Sequence, residues 1–180
     1  MKIIGLYGPQ KVGKTSVAQA IEHITKPYGF KRMSFAEPIR QMLKPLLPPN
    51  LLIPSADKDS PIELLGGKSV RDALKLLGTE WGRALLHEDL WVNVLLSNAY
   101  EQKYKNIVID DLRMDNEFAM IKRLGGMTVL LSRDGVVAND TSHTSELQWP
   151  KWTPDFRVIN GSPTSCAQEV YLNAVQFFNL

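Results

Sequence analysis

Apolar positions along the chain follow two rhythms. Lys2–Tyr7 is a continuous β-rich apolar run, and residues 31–35, 107–109, 127–131 and 156–159 are shorter runs of the same kind. Runs without polar alternation predict strands covered on both faces. Between them the spacing changes to three and four. Ile39, Met42, Leu43, Leu46 and Leu47 predict a helix that Pro48 and Pro49 stop. Val70, Ala73, Leu74, Leu77 and Trp81 predict another with those side chains inward, leaving Arg71 and Lys75 four apart on a different face. Leu90, Trp91, Val94 and Leu95 mark a helix over 89–104, and Phe118, Ile121 and Leu124 one that Gly125 and Gly126 end. Ala167, Val170, Tyr171, Ala174, Val175 and Phe178 are in register for a last helix. Residues 48–69 read as a loop rich in Pro, Ser, Asp and Gly. Residues 133–154 read as a polar flap with a turn at Asp134-Gly135.

Strands alternating with helices predict an α/β domain built on a parallel sheet of about five strands with helices on both faces. Such sheets bind ligands beyond the carboxyl ends of their strands. The segments 8–15, 34–40, 110–117 and 133 onward all begin where a strand ends, which points to one shared site.

At 180 residues the chain suits a single such domain. A formal net charge of +2 gives no reason to expect a nucleic-acid partner. Cys166 is the single cysteine and has no intramolecular disulfide partner, which fits a reducing compartment. No apolar run approaches the roughly 18 residues of a membrane span. The first residues lack a signal-like core, so an intracellular, cytoplasmic protein is expected.

Gly8-Pro9-Gln10-Lys11-Val12-Gly13-Lys14-Thr15 matches G-x-x-x-x-G-K-[ST] between a strand and a helical segment. The spacing has a physical reason. Glycines let successive backbone N–H groups converge on phosphate oxygens at the positive end of the following helix. Lys14 would reach the β- and γ-phosphates, and the Thr15 hydroxyl would complete a Mg²⁺ shell. A chance match in a glycine-containing loop is the competing reading, and the strand and helix around the motif argue against it. Asp110 and Asp111 end an apolar strand, where a carboxylate can hold Mg²⁺ or cap the next helix.

Further segments fit a pattern. Ser34-Phe35-Ala36-Glu37-Pro38-Ile39 follows the second strand, and Arg71 leads to Leu77-Gly78-Thr79-Glu80-Trp81-Gly82-Arg83 with Trp91-Val92 beyond. Asp111-Leu112-Arg113 precedes Asn116-Glu117, and Arg133 precedes His143-Thr144-Ser145-Glu146. In order and spacing, over residues 3–161, these resemble the deoxynucleoside monophosphate kinases of bacteriophages. Lys75 departs from the Gln of that family's block, and the chain is compact for the family.

The resemblance implies a three-layer P-loop NTPase fold forming a single kinase domain, with an acceptor-binding helical excursion over about 36–104 and a lid over about 133–154. It implies ATP as phosphoryl donor, a deoxynucleoside monophosphate as acceptor and Mg²⁺ as cofactor. Gly8, Lys11, Val12, Gly13, Lys14, Thr15 and Ser16 would cradle ATP, with Asn160 and Gly161 beside the adenine. Thr15 and Asp111 would hold the metal. Ser34, Phe35, Arg71, Lys75, Arg83, Trp91, Arg113 and Glu117 would bind the acceptor. Lys14, Arg113, Arg133 and Asp111 would carry the transfer, in which catalysis is positioning and charge neutralisation.

Each assignment has a plainer alternative. An arginine is more often solvated or salt-bridged at the surface. Phe35 and Trp91 suit core packing as well as stacking on a base, Glu80 and Glu117 could orient arginines or water or simply face solvent, and Asn160-Gly161 could be an ordinary turn. His23, His87 and His143 form no ligand-like cluster. Competing functions are a kinase of another phosphorylated metabolite, such as phosphomevalonate, and a nucleotide-binding switch, although no N-K-x-D base-reading motif is present. No nucleic-acid or membrane partner is expected, and the sequence leaves homodimerisation open.

Overall fold

Residues 1–26, 29–53, 56–136 and 149–180 are described by a computed structural model of the chain. Its strands are β1 (Lys2–Tyr7), β2 (Lys31–Met33), β3 (Asn106–Ile109), β4 (Met127–Ser132) and β5 (Phe156–Ile159). Its α-helices are α1 (Lys14–Ile24), α2 (Glu37–Leu43), α3 (Val70–Lys75), α4 (Leu90–Glu101), α5 (Asp115–Arg123) and α6 (Pro163–Phe178). The strands form one sheet ordered β2-β3-β1-β4-β5, and every pairing is parallel. The expected five-stranded parallel sheet is therefore present. Because the strands run the same way, all five carboxyl ends lie along one edge.

The chain divides into two compact units, Met1–Ser34 with Ser97–Leu180, and Phe35–Leu96. The first contains the sheet. Side chains alternate across it with a period of two. Ile4, Leu6, Val108, Val129, Leu131 and Val158 share a core with Val17, Ala18 and Ile21 of α1 and Ala167 and Val170 of α6. Each buried Val, Leu or Ile side chain among them contributes about 1.5–3 kcal/mol of transfer free energy. On the opposite face α5 lies so close that a Cβ on Gly5 would come within 2.5 Å of Ile121 Cδ1.

The second unit has its own small core of Leu43, Leu47, Leu52 and Val70, bordered by Ile62, Leu65 and Leu74. Helix α2 stops at Leu43, before the prolines, because its last turns tighten: Lys44 N–H donates to the Gln41 carbonyl. The loop expected over 48–69 contains two 3₁₀ turns, Pro49–Leu51 and Glu63–Leu65. Helix α3 opens on a capping box. Asp72 N–H donates to Ser69 Oγ at 3.1 Å, and Ser69 N–H to Asp72 Oδ2 at 2.9 Å.

The continuous α-helix expected from Val70 through Trp81 is not what forms. From Leu76 to Leu86 the chain is π-helical, and His87 N–H still reaches back five residues to the Gly82 carbonyl at 3.0 Å. A wider turn rotates each residue differently from the 3.6-residue period. Val70 is buried and Leu77 half-buried, but Trp81 is 38% exposed rather than inward.

The turn expected at Asp134-Gly135 is present. Val136 N–H donates to the Arg133 carbonyl at 3.0 Å, and Gly135 supplies the positive φ of 75°. The remainder of the expected flap over 137–148, including His143-Thr144-Ser145-Glu146, lies outside the described residues. Among the described residues no helix is long and apolar enough to cross a membrane.

Candidate active site

The carboxyl end of β1 passes into Gly8, and the loop to Thr15 takes a form that ordinary side chains resist. Gly8 has φ 133° and Gly13 φ 97°, and between them Lys11 also sits at positive φ, 64°. A Cβ on Gly8 would collide with the Leu131 carbonyl oxygen, and one on Gly13 with Asn160 Nδ2. Both glycines therefore answer to neighbouring strands as well as to backbone torsion. Val17 N–H closes on the Gly13 carbonyl at 3.0 Å, which starts α1 and sets its first turn at the loop.

Lys14 is 8% exposed and donates from Nζ to the carbonyls of Gly8 at 2.7 Å and Pro9 at 2.8 Å. The ammonium thus lies back across the loop that precedes it. Val12 is buried and its carbonyl accepts from Asn160 Nδ2 at 2.7 Å. Thr15 is half-buried, while Lys11 and Ser16 are exposed.

Beyond β3 the two acidic residues part company. Asp110 is 3% exposed and accepts from Arg32 Nε at 2.7 Å through Oδ2. Burial raises its pKa, the charge of Asp111 raises it further, and Arg32 and the Thr15 hydroxyl act the other way. Its Oδ1 is buried without a hydrogen-bond partner among the described residues. Asp111 is half-buried and accepts from Ser34 Oγ at 2.6 Å. The expectation paired Thr15 with Asp111, but the carboxylate on the Thr15 side is Asp110. Strand alternation explains the difference: Asp110 follows Val108 by two and shares its face, the face covered by α1.

Glu117, expected at the acceptor, orienting an arginine or facing solvent, is buried and accepts from the backbone N–H groups of Arg113 at 2.8 Å and Met114 at 3.0 Å. It fixes the main chain that carries the half-buried Arg113 into α5. Arg133 is exposed at the turn after β4. Asn160, expected beside a base through its backbone, is buried behind the loop, and its N–H donates to the Ser132 carbonyl at 2.7 Å. Gly161 is exposed. Arg32, read from the sequence only as a strand residue, was missed; its register opposite Val108 puts it on the Asp110 face.

In the second unit, Arg71 forms an exposed two-pronged ion pair with Asp59, whose Nη2–Oδ2 arm is 3.1 Å. Lys75 is exposed beside it on α3. Arg83 is half-buried and donates to the Glu88 carbonyl at 3.4 Å. Trp91 takes the packing alternative: a Cβ on Gly82 would lie 2.5 Å from its ring, and its Nε1–H donates to the Gly78 carbonyl at 2.7 Å. Phe35 is buried as well. Cys166 is buried on the core side of α6, and burial, with the charge of Glu169, pushes its thiol up to about 11, which argues against a nucleophile.

No protein-family model matches the chain. The shikimate kinase of Aquifex aeolicus superposes over 96% of this chain and 95% of its own, with a TM-score of 0.52 at 14% identity. That likeness concerns the fold. A protein of Acanthamoeba polyphaga mimivirus, provisionally described as a deoxynucleotide monophosphate kinase, is 29% identical over 165 residues, 82% of each chain. The parallel sheet and the phosphate loop give the chain the fold of the P-loop kinases. More particularly, it is a homologue of that mimivirus protein.

Proposed function

We propose that the protein transfers the γ-phosphoryl group of ATP to a deoxynucleoside monophosphate, giving ADP and a deoxynucleoside diphosphate. The observation that carries this reading is Lys14 folded against the Gly8–Thr15 loop at the end of β1, with the Thr15 hydroxyl meeting the Asp110 carboxylate at the end of the neighbouring β3. The homology to the mimivirus protein supports the acceptor class.

Mg²⁺ fits the residues present. The buried Oδ1 of Asp110 lacks a hydrogen-bond partner among the described residues and belongs to a carboxylate that interacts with the Thr15 hydroxyl. Among the described residues no cluster of three or more His, Cys, Asp or Glu could hold a metal alone. That suits an ion whose remaining ligands are water and phosphate oxygens. When bound, the ion would neutralise charge on the β- and γ-phosphates.

The chain's own residues would do the rest. Lys14 turns from the Gly8 and Pro9 carbonyls to the phosphates. Arg113, on backbone fixed by Glu117, neutralises charge between donor and acceptor, and Arg133 acts from the turn after β4. Ser34 keeps Asp111 in place. Within Phe35–Leu96, Arg83, Arg71 and Lys75 are the cations assigned to the acceptor phosphate, with Phe35 and Trp91 shaping the ground beneath its base. Arg71 would exchange Asp59 for that phosphate.

The test is ADP release with ATP and Mg²⁺ against the common deoxynucleoside and ribonucleoside monophosphates, with phosphomevalonate in the same panel. Release that depends on a deoxynucleoside monophosphate, and that Lys14→Ala abolishes in a folded protein, is the expected result. Release with phosphomevalonate alone, or undiminished release from Lys14→Ala, overturns it.

A further inference from the structure

We infer that Asn160 is a positioning residue that holds the phosphate loop in its anion-binding form, acting from the end of β5 on a loop 148 positions away in sequence. This goes beyond the proposed reaction but rests on reading Gly8–Thr15 as a triphosphate cradle.

Four observations carry it. Asn160 Nδ2 donates to the Val12 carbonyl at 2.7 Å, in the middle of the loop. The same nitrogen fills the space that a Cβ on Gly13 would need, so the amide limits how far Gly13 can turn. The backbone of Asn160 is tied down in its own right, its N–H donating to the Ser132 carbonyl at 2.7 Å, so the brace stands on the sheet. Finally, the side chain is 2% exposed and its Oδ1 has no hydrogen-bond partner among the described residues. An amide kept for stability alone would satisfy both ends. This one is satisfied only where it grips the loop.

The geometry also gives a direction. With its carbonyl held by Asn160, Val12 presents a fixed peptide plane, and the N–H of Gly13, which lies in that plane and points the opposite way, is fixed with it. A cradle works through N–H groups aimed before the anion arrives. Loss of the Asn160 amide should free that peptide and weaken phosphate binding, whatever base the nucleotide carries.

The experiment compares ATP, inorganic tripolyphosphate and adenosine, each titrated calorimetrically with Mg²⁺ into the wild-type chain, Asn160→Ala and the shape-keeping Asn160→Leu. Urea midpoints identify the folded variants. Lys14→Ala serves as the loop control. A brace predicts that affinity for ATP and for tripolyphosphate falls together, by tenfold or more, in each folded variant, while any adenosine binding is unchanged. A residue that reads the base would instead lose ATP and adenosine while keeping tripolyphosphate, and that result overturns the inference. Unchanged affinity for all three does so too. Failure of the wild-type chain to bind tripolyphosphate in a Lys14-dependent way would remove the cradle reading itself, and the inference with it.

Discussion

The guanidinium of Arg32 and the carboxylate of Asp110 meet at 2.7 Å across the ends of two neighbouring strands, with Asp110 almost wholly enclosed. A buried carboxylate depends on such a partner, and removing one member of a pair costs more than replacing both. Arg32→Gln should therefore destabilise the protein by about 2–4 kcal/mol. The double variant Arg32→Met with Asp110→Leu should lose distinctly less stability, though all phosphoryl transfer. Urea unfolding of the two single variants and the double variant measures the coupling; additive losses would contradict the pairing.

Gly13→Ala tests the loop from the other side. The substitution meets both the positive φ of 97° and the Asn160 amide. A strained torsion of this kind costs about 1–3 kcal/mol. The folded variant should bind ATP at least tenfold more weakly in a calorimetric titration. Retention of full affinity would mean that the loop adjusts without loss.

Two helix ends make a matched pair. After α5, Gly125 has φ 68°, and Gly126 N–H and Gly125 N–H return to the Ile121 and Lys122 carbonyls. After α4, Lys103 adopts φ 55° in the same arrangement, with Tyr104 N–H on Ala99 and Lys103 N–H on Tyr100. Only the first position has the residue suited to a left-handed cap. Gly125→Ala should cost about 1 kcal/mol and Lys103→Gly should add about 0.5–1 kcal/mol, because the strain is local and reversible in sign. Thermal melts of the two variants should move in opposite directions.

Asp155 supplies a pH dependence. Burial disfavours its charge, but hydrogen bonds from Lys122 and from both the side chain and backbone of Thr128 outweigh that and lower its pKa below the usual 3.8. A group with a depressed folded pKa adds stability above its unfolded value and loses it as the pH falls through the folded one. Asp155→Asn should be less stable by about 1–2 kcal/mol at pH 7, from weakened charge-assisted hydrogen bonds. The gap to wild type should narrow as the pH falls below 3.8. Urea midpoints from pH 7 to pH 3 would reveal a constant gap if Asp155 were only a spacer.

The sheet and the phosphate loop were legible because each leaves a local mark. Doubly buried strands such as Lys2–Tyr7 read as unbroken apolar runs, and the loop's glycines keep a fixed spacing. The π-helical stretch left no such mark: counting by threes and fours puts Trp81 inward, but i→i+5 bonding turns it out. At the end of β3 the family pattern favoured Asp111, while the period-two alternation from Val108 puts Asp110 on the face covered by α1. Arg71 exposes a different limit. Its spacing from Lys75 says that they share a helix face, but nothing in that spacing announces Asp59. The part played by Asn160 depends on β5 lying next to β4, a fact of topology that no motif carries.

The neighbours that crowd Gly8 and Gly13 make the loop a poor candidate for transplantation. Leu131 reaches it from one strand and Asn160 from the next, so the residues that demand glycine are far off in sequence. Spliced into a foreign strand-to-helix junction, the short segment would keep its spelling and lose the walls that mould it. An engineer wishing to borrow it would have to take the tips of β4 and β5 along.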